Sequence, residues 1–248
     1  MSKLSYITPE GLRIDGRRNN EIRRLNMKMG IFNRADGSAY YEQGNTKITV
    51  AVYGPREVAS NQRMLHDRAI VNCEYSQAAF SSATDRKPTR KSDKQSYEIA
   101  SLIKQAFEST IQITLFPRSQ IDIYVQVLQA DGGLKAAALN AATLAVIDAG
   151  LPMRDFICAC SATFIEGVPL LDMNQMEERS GGADLLLSIQ PQLGGVISLN
   201  MESKVPQDMF ESVLELANLG CMKIFALLQT EVKRHSADLL SNQINPKS

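Results

Sequence analysis

The stretch Val127-Leu128-Gln129-Ala130-Asp131-Gly132-Gly133-Leu134-Lys135-Ala136 decides how the rest of the chain is interpreted. Its alternating start predicts a strand, the two glycines a turn, and the alanine-rich run beyond them a helix. Such a turn directs backbone N–H groups and the positive end of a helix dipole toward one point, which suits phosphate. A catalytic phosphate site also needs a hydroxyl donor and a guanidinium beside the turn, but Leu134 and Lys135 stand there. The sequence therefore predicts a phosphate-handling fold with weakened phosphate chemistry.

Strand patterns dominate the chain before this turn. Residues 22–32 alternate loosely, and residues 38–42 and 47–53 flank the hairpin signal at 43–46. Gly54-Pro55 predicts the end of that strand, residues 56–68 a loop, and residues 69–76 another strand. A capping box at Ser92 and Gln95 then predicts a helix that Pro117 ends. Its expected buried stripe is Ile99, Ile103, Ala106, Phe107 and Ile111.

Two helices and several strands are predicted around and after the turn. Ile121 to Val127 alternate with polar residues, as in a half-buried strand, and residues 136–149 predict a helix buried all round. Strands are predicted at 156–165, 185–189 and 196–201, with a turn at Glu166-Gly167. Pro206 suits the first turn of a long final helix. Its expected buried stripe is Phe210, Val213, Leu214, Ala217, Cys221, Ile224 and Leu228.

This order of elements predicts an α/β (α+β) chain, with mixed sheets and helices packed on their faces. No linker divides it, so residues 1–248 are expected to form a single domain, with a two-domain arrangement as the alternative. Residues 1–20 are expected to form an irregular arm, and residues 240–248 a flexible tail.

Composition and charge argue against several classes of protein. With 27 basic and 27 acidic residues, the chain does not suit a protein that coats nucleic acid over its whole surface. No run of 18 apolar residues occurs, so neither a transmembrane helix nor a membrane partner is expected. The four cysteines and two histidines have no zinc-binding spacing, so no metal or cofactor is expected. Free, buried thiols, as in a reducing compartment, are expected instead.

One segment concentrates positive charge. Five basic residues fall within nine positions, in a stretch that also holds Pro88 and several serines and threonines: Arg86, Lys87, Arg90, Lys91 and Lys94. The pattern indicates a loop with a focused positive field, which is either a solvated surface segment or a binding surface for an acidic partner.

An ordered set of motifs runs over nearly the whole chain: GLRIDGRR at 11–18, ADGSAY at 35–40, EQGNTK at 42–47, YGPRE at 53–57, FPRSQIDI at 116–123, VLQADGG at 127–133 and DAGLPM at 148–153. Together these motifs resemble the RNase PH superfamily and, within it, the exosome ring subunits of the type that is active in archaea. Two further stretches, MRD at 153–155 and GGAD at 181–184, resemble eukaryotic members in particular.

The resemblance implies an RNase PH fold of two βα repeats and a hetero-hexameric ring of RNase PH-type subunits around an RNA channel. It also implies S1/KH-type cap subunits and a hydrolytic 3′-5′ exoribonuclease beneath the ring, acting in RNA processing and decay in the nucleus, nucleolus and cytoplasm. The chain itself is then expected to be a non-catalytic, RNA-threading subunit. The alternatives are an active phosphate-dependent exoribonuclease and a small-molecule enzyme on the same fold.

The resemblance also implies where a phosphorolytic site would lie. Active members hold phosphate with a Ser-Arg pair after the glycine turn, which falls on Leu134 and Lys135. Their Arg pair before the preceding helix falls on Lys94 and Gln95. Gly132, Gly133 and Lys135 would thus be the remnant of a phosphate site. Losing two or three charged anchors costs about three to six powers of ten in rate, so no significant phosphorolysis is expected. In the alternative, an active phosphate-dependent exoribonuclease, Lys94 and Lys135 take the places of arginines.

The carboxylates of active members, which support acid catalysis or a divalent ion, fall on Glu178 and Asp184. These two are expected to be degenerate remnants or simple surface acids, and Asp131 is expected to brace the turn. The resemblance places residues 61–63 at a channel constriction and the basic segment on the RNA path. The residues expected to contact RNA are therefore Asn61, Gln62, Arg63, Arg86, Lys87, Arg90, Lys91 and Lys94.

Overall fold

The first half of the chain forms a five-stranded sheet. The computed structural model describes residues 6–8, 11–58, 65–82, 94–203 and 206–244. The strands pair in the order β1-β2-β3-β5-β4, and only the β4–β5 pair is parallel. They span β1 Leu25–Met29, β2 Gly37–Gln43, β3 Thr46–Glu57, β4 Ile70–Gln77 and β5 Ser119–Gln129.

The second half forms a four-stranded antiparallel sheet in the order β7-β6-β8-β9. Glu166 and Gly167 have φ angles of +50° and +87° and close the β6–β7 hairpin, as the sequence predicted. The strands span β6 Cys158–Ile165, β7 Val168–Leu171, β8 Ala183–Gln190 and β9 Gly195–Met201.

Helices fill the space between the sheets and cover the second one. They span α1 Lys94–Thr110, α2 Leu134–Asp148, α3 Gln175–Glu178 and α4 Gln207–Ile244. Helix α2 packs on β2 and β3 on one side and on β6 on the other, α1 packs on β4, and α4 packs on β6, β7 and β8. The approach of β2 to α2 is close, because a Cβ on Gly37 would lie 2.3 Å from the Ala145 carbonyl oxygen.

The structure confirms the α/β (α+β) class with mixed sheets and packed helices. The predicted stripe of α1 is buried, α2 is buried over most of its circumference, and α4 buries one stripe. Three of the four free cysteines are buried, and the fourth, Cys73, is half-buried. The buried residues of the α4 stripe are Val213, Ala217, Cys221, Ile224 and Leu228.

Two predicted ends are wrong. Gly54-Pro55 does not end β3, which continues to Glu57 after a register shift between Tyr53 and Arg56. Pro117 does not end α1, which ends at Thr110 because the chain then pairs with residues 152–153. A short 3-10 helix at Ile113–Leu115 follows. Strand β7 and helix α3 had no predicted counterpart.

The structure also differs from the prediction at Asp122, because the alternation of β5 predicted an exposed side chain there. It is 3% exposed. Its carboxylate accepts hydrogen bonds from Asn72 Nδ2 (3.0 Å) and Gln120 Nε2 (2.6 Å) and pairs with Arg56. Neighbouring polar side chains, rather than water, thus solvate this acid.

The two ends of the chain are irregular and helical respectively. Residues 11–20 form turns, with an isolated bridge between Ile7 and Arg13. Helix α4 reaches Ile244, so residues 240–244 of the expected tail are helical, and residues 245–248 lie outside the described ranges, as does Ser92 of the expected capping box.

Helix α4 is also apolar and long enough, over Met209–Ser241, to cross a membrane, and within the described ranges it is the one helix of that kind. This is weak evidence for a span, because the helix buries its stripe on the second sheet as a core helix does. The absence of a membrane partner stays a prediction.

Candidate functional site

The glycine turn connects β5 to α2 in the predicted place. Gly132 and Gly133 have φ angles of +78° and +64°, a region that glycine adopts without strain. Gly133 is the N-cap of α2, and no side chain caps the helix there. The first helical hydrogen bond runs from the Ala137 N–H to the Gly133 carbonyl at 3.1 Å. The N–H groups of residues 134–136 therefore precede the helical ladder, as in anion-binding turns.

The turn is held from its outer side. Arg23 donates to the carbonyls of Asp131 (Nη1, 2.6 Å) and Gly132 (Nη2, 3.3 Å), and Thr46 Oγ1 donates to Gly132 at 3.0 Å. The Asp131 carboxylate accepts a hydrogen bond from Asn45 Nδ2 at 3.0 Å. Asp131 thus braces the turn, as predicted. A Cβ on Gly132 would lie 2.5 Å from the Asn174 carbonyl carbon, so the turn is seated directly on the backbone before α3.

A buried charge cluster, here called the clamp and made of Arg13, Arg23, Asp172 and Glu177, fixes this region. Arg23 Nη2 donates to Asp172 Oδ1 at 2.7 Å, and Arg13 Nε donates to Glu177 Oε1 at 2.7 Å. Burial alone would raise the pKa of Asp172, but the charge and hydrogen bonds of Arg23 outweigh it and lower that pKa. The clamp therefore consists of compensated charges.

Helix α3 carries the clamp and the candidate site on neighbouring residues. Asn174 and Glu177 form a capping box, in which Asn174 Oδ1 accepts from the Glu177 N–H and Glu177 Oε2 accepts from the Asn174 N–H, both at 2.9 Å. Because Arg13 holds Glu177 as well, the short helix has a fixed orientation. Glu178, the next residue, lines a pocket beside the glycine turn.

This pocket lies between the start of α2, the edge of α1 and the inner face of the second sheet, and encloses about 80 Å³. Lys135 enters it from α2, Glu178 from α3, and Glu202 from the residue after β9. The Lys135 ammonium forms an ion pair with Glu202. The lining residues are Gln95, Ile99, Gly133, Leu134, Lys135, Ala136, Ser161, Met173, Glu178, Asp184, Leu185, Leu186, Asn200 and Glu202.

Negative charge dominates this pocket. Burial, the charge of Asp184 and that of Glu202 raise the pKa of Glu178, and Lys135 opposes them. Burial likewise raises the pKa of Asp184, with Glu202 adding to it and the Thr163 hydroxyl and Lys135 opposing it. Lys135 thus compensates the three acids incompletely.

Two buried polar atoms of the pocket have no hydrogen-bond partner within the described ranges, Ser161 Oγ and Asp184 Oδ1. Ser161 is 4% exposed, and its Oγ would lie 3.2 Å from a Cβ on Gly133. Thr163 pairs with Asp184 across the β6–β8 ladder, and its hydroxyl is close enough to lower the pKa of Asp184, although Thr163 Oγ1 and Asp184 Oδ1 do not meet the geometry of a hydrogen bond. Buried polar atoms normally have partners, so this wall of the pocket is incompletely satisfied.

The structure brings four of the predicted site residues into one pocket: Gly133, Lys135, Glu178 and Asp184. Gly132 shapes the turn without lining the pocket. Lys94 is the first residue of α1, has a side chain that is 92% exposed, and lies 3.9 Å from Glu98. Of the expected RNA contacts, seven lie outside the described residues: Asn61, Gln62, Arg63, Arg86, Lys87, Arg90 and Lys91.

Sequence reasoning missed Ser161 and Glu202. The alternation of β6 was a usable signal, because it places Ser161 on the face opposite Cys158 and Cys160. Glu202 required the β8–β9 register, in which its N–H donates to the Asp184 carbonyl at 3.3 Å. Within the described ranges, no group of three histidines, cysteines or acids is arranged to hold a metal ion.

Comparison with known proteins places the chain in a family. Models of the 3′ exoribonuclease (RNase PH) family match residues 21–152 as its domain 1 and residues 155–218 as its domain 2. The mouse protein "Exosome complex component RRP41" is 50% identical over 236 residues, covering 95% of this chain and 96% of its own. "Exosome complex component Rrp41" of Thermoplasma volcanium is 43% identical over 209 residues, covering 84% of each chain.

A solved structure shares the fold. Rice Rrp46 superimposes with a TM-score of 0.80 at 24% identity, covering 89% of this chain and 100% of its own. The segments that the family models match span most of the residues and include the turn, the pocket and every clamp residue except Arg13. The chain therefore belongs to the 3′ exoribonuclease family, the RNase PH family.

Proposed function

We propose that this chain is a non-catalytic ring subunit of an RNA exosome, which guides RNA 3′ ends to a separate hydrolytic 3′-5′ exoribonuclease. The observation that carries the proposal is the Lys135–Glu202 ion pair beside Leu134. Active members would place a hydroxyl at the position of Leu134 and a guanidinium at the position of Lys135. The identity of about half of all residues to proteins called exosome components supports the assembly.

Electrostatics supports the absence of phosphorolysis. Phosphoryl transfer depends on positive groups that neutralise the charge of the attacking and leaving oxygens. Here Glu178, Asp184 and Glu202 surround a single ammonium, that of Lys135. A doubly charged phosphate entering this pocket would displace Glu202 from Lys135 and remain close to two further carboxylates, which repel it.

RNA contact is assigned to the basic segment, whose last member, Lys94, begins α1 and has an exposed ammonium. Such contacts hold the phosphate backbone without reading bases, as a threading channel requires. Exposed apolar side chains at and before β9, an edge strand, suit contact with a neighbouring subunit: Leu193, Val196 and Leu199. Cap subunits, a hydrolytic nuclease beneath the ring, and action in nucleus, nucleolus and cytoplasm complete the proposal.

An active phosphate-dependent exoribonuclease is the second candidate, and one observation favours it. Gly133, Lys135, Glu178 and Asp184 still line one pocket, in the arrangement that phosphorolysis would use. In this alternative, Lys135 leaves Glu202 when phosphate arrives and takes the place of an arginine.

The assembled ring, supplied with poly(A), distinguishes the two candidates. The measurement is release of nucleoside diphosphates in inorganic phosphate against an equal concentration of chloride. The proposal expects no phosphate-dependent release from the wild-type ring or from Lys135→Ala. Release by the wild type that Lys135→Ala abolishes would establish the second candidate.

A further inference from the structure

The charge of the pocket suits a ligand of the opposite sign to phosphate. Glu178, Asp184 and Glu202 supply three carboxylates, and among the described lining residues Lys135 is the one cation. Lys135 pairs with Glu202, which leaves Glu178 and Asp184 without an ion-pair partner within 4.0 Å in the described ranges. These two acids approach each other closely enough for Asp184 to raise the pKa of Glu178.

The unsatisfied polar atoms point to a donor that is missing from the chain itself. Asp184 Oδ1 is buried and accepts no hydrogen bond within the described ranges, and Ser161 Oγ, in a residue that is 4% exposed, has no partner either. Both belong to the pocket wall formed by β6 and β8. A carboxylate oxygen accepts only, and a hydroxyl can also accept, so one group with several N–H donors would satisfy both.

The remaining walls are hydrocarbon. Ile99 of α1, Leu134 of α2 and Leu186 of β8 line the same pocket as the acids. An apolar wall that leads to paired carboxylates fits a cation on a methylene chain, whose stem packs while its head is hydrogen-bonded. A bare metal ion would use only the acids, and the described residues provide no three-ligand set for one.

We propose that this pocket binds an aliphatic ammonium or guanidinium group, with the cationic head against Glu178, Asp184 and Ser161 and the stem against Leu134 and Ile99. The proposal goes beyond RNA threading, although both share the premise that the pocket rejects phosphate. The same chemistry can come from a lysine or arginine of a neighbouring ring subunit or from a free polyamine.

Calorimetric titration in the absence of RNA tests the proposal, with spermidine and n-butylguanidinium as probes. The uncharged n-pentanol is the matched control ligand. The full chain is titrated alone and within the assembled ring. Binding to the chain alone that disappears on assembly identifies a neighbour's side chain as the occupant, and binding that persists in the ring identifies a free polyamine. Both results support a site for aliphatic cations.

Near-isosteric variants locate the site. Glu178→Gln with Asp184→Asn is expected to weaken both probes about tenfold or more, because charged hydrogen bonds are lost. Ser161→Ala is expected to weaken them about threefold. Glu211→Gln with Glu215→Gln, on the exposed face of α4, changes the net charge equally and is expected to leave both affinities unchanged.

Three results would overturn the inference. The probes would fail to bind the wild-type chain, or bind it no better than n-pentanol. They would bind the Glu178→Gln, Asp184→Asn variant with unchanged affinity. Magnesium chloride or sodium phosphate would displace n-butylguanidinium at a lower concentration than spermidine does. Phosphorolysis of poly(A) tests the proposed function separately, so the failure of one proposal is recognisable without the other.

Discussion

Glu177 and Glu178 are neighbours in the chain but belong to opposite electrostatic environments. Glu177 is fully buried in the clamp, where Arg13 pairs with it and Asn174 donates to it. Glu178 lines the pocket, where burial and two other acids raise its pKa. The clamp compensates every charge that it buries, whereas the pocket leaves the exposed Glu178 and the half-buried Asp184 without an ion-pair partner in the described ranges. A scaffold needs the first arrangement, whereas a fold retains the second when a ligand stabilises it or function requires it.

The largest expected effect comes from breaking the clamp at Asp172. Asp172→Ala leaves the Arg23 guanidinium buried without its carboxylate, and we expect a loss of about 3–5 kcal/mol in the free energy of unfolding. Urea denaturation measures it. Glu202→Ala, which breaks the more exposed Lys135–Glu202 pair, is the control and is expected to cost about 1 kcal/mol or less. A loss below about 1 kcal/mol in Asp172→Ala would contradict the clamp.

Charge reversal of the basic segment has the next largest expected effect. It tests whether RNA binds to positive charge that lies outside both the clamp and the pocket. Replacing Arg86, Lys87, Arg90 and Lys91 by Glu should weaken RNA binding by the assembled ring and slow hydrolysis by the nuclease beneath it. Each lost phosphate contact should flatten the plot of log affinity against log salt by about one unit of slope. The effect should be the same for RNAs of different sequence.

A filter-binding series over salt concentration measures that slope. The control is Lys104→Glu with Lys233→Glu, which reverses two lysines of α1 and α4 that lie outside the basic segment. If the quadruple variant kept the wild-type affinity and salt slope, the segment would be a solvated surface loop.

The two clusters should also differ in how pH changes stability. The pKa of Asp172 is lowered in the fold, so its contribution is present above the pKa of the unfolded chain and is lost as pH falls through the folded value. The pKa values of Glu178 and Asp184 are raised, so their ionisation costs stability as pH rises through the folded values.

Glu178→Gln with Asp184→Asn should therefore stabilise the chain at pH 7 and stabilise it less at pH 4, because the raised pKa values favour protonation of the wild-type acids as the pH falls. Because both acids are partly exposed, the gain should stay below about 1 kcal/mol. Urea denaturation at the two pH values measures it. Destabilisation at pH 7 would show that these acids have stabilising partners.

The last substitution is expected to have no effect on RNA decay. Glu178→Ala with Asp184→Ala should leave RNA decay by the complete exosome unchanged, because the hydroxyl and guanidinium anchors around these acids are missing. Decay of a 3′-labelled RNA, followed with and without phosphate, measures it. A large loss of phosphate-dependent decay in this variant would overturn the non-catalytic assignment.

The sequence predicted most of the fold because its patterns are local. The alternation of Ile121 to Val127 and the alanine-rich α2 each specify an element within one window of residues. The wrong details depended on distant partners. Asp122 is buried because Arg56 and Asn72 reach it from other strands, and α1 ends early because residues 111–112 pair with residues 152–153.

The site divides in the same way. The family resemblance named the turn, Lys135, Glu178 and Asp184, and the structure places the three side chains in one pocket beside the turn, while their roles stay predictions. Ser161 and Glu202 enter the pocket only through the pairing of β8 with β6 and β9, and the clamp joins Arg13 to Glu177 across 164 positions. No pattern within a single window encodes such contacts.

The seat of Gly132 on the Asn174 backbone has a consequence for inheritance. Any residue with a Cβ would collide there, whether or not phosphate ever binds, so selection for folding alone preserves Gly132. A lineage can therefore lose its chemistry and keep its most recognisable motif. The proposed function of this chain therefore rests on Leu134 and Lys135, which follow the glycines, and not on the glycines themselves.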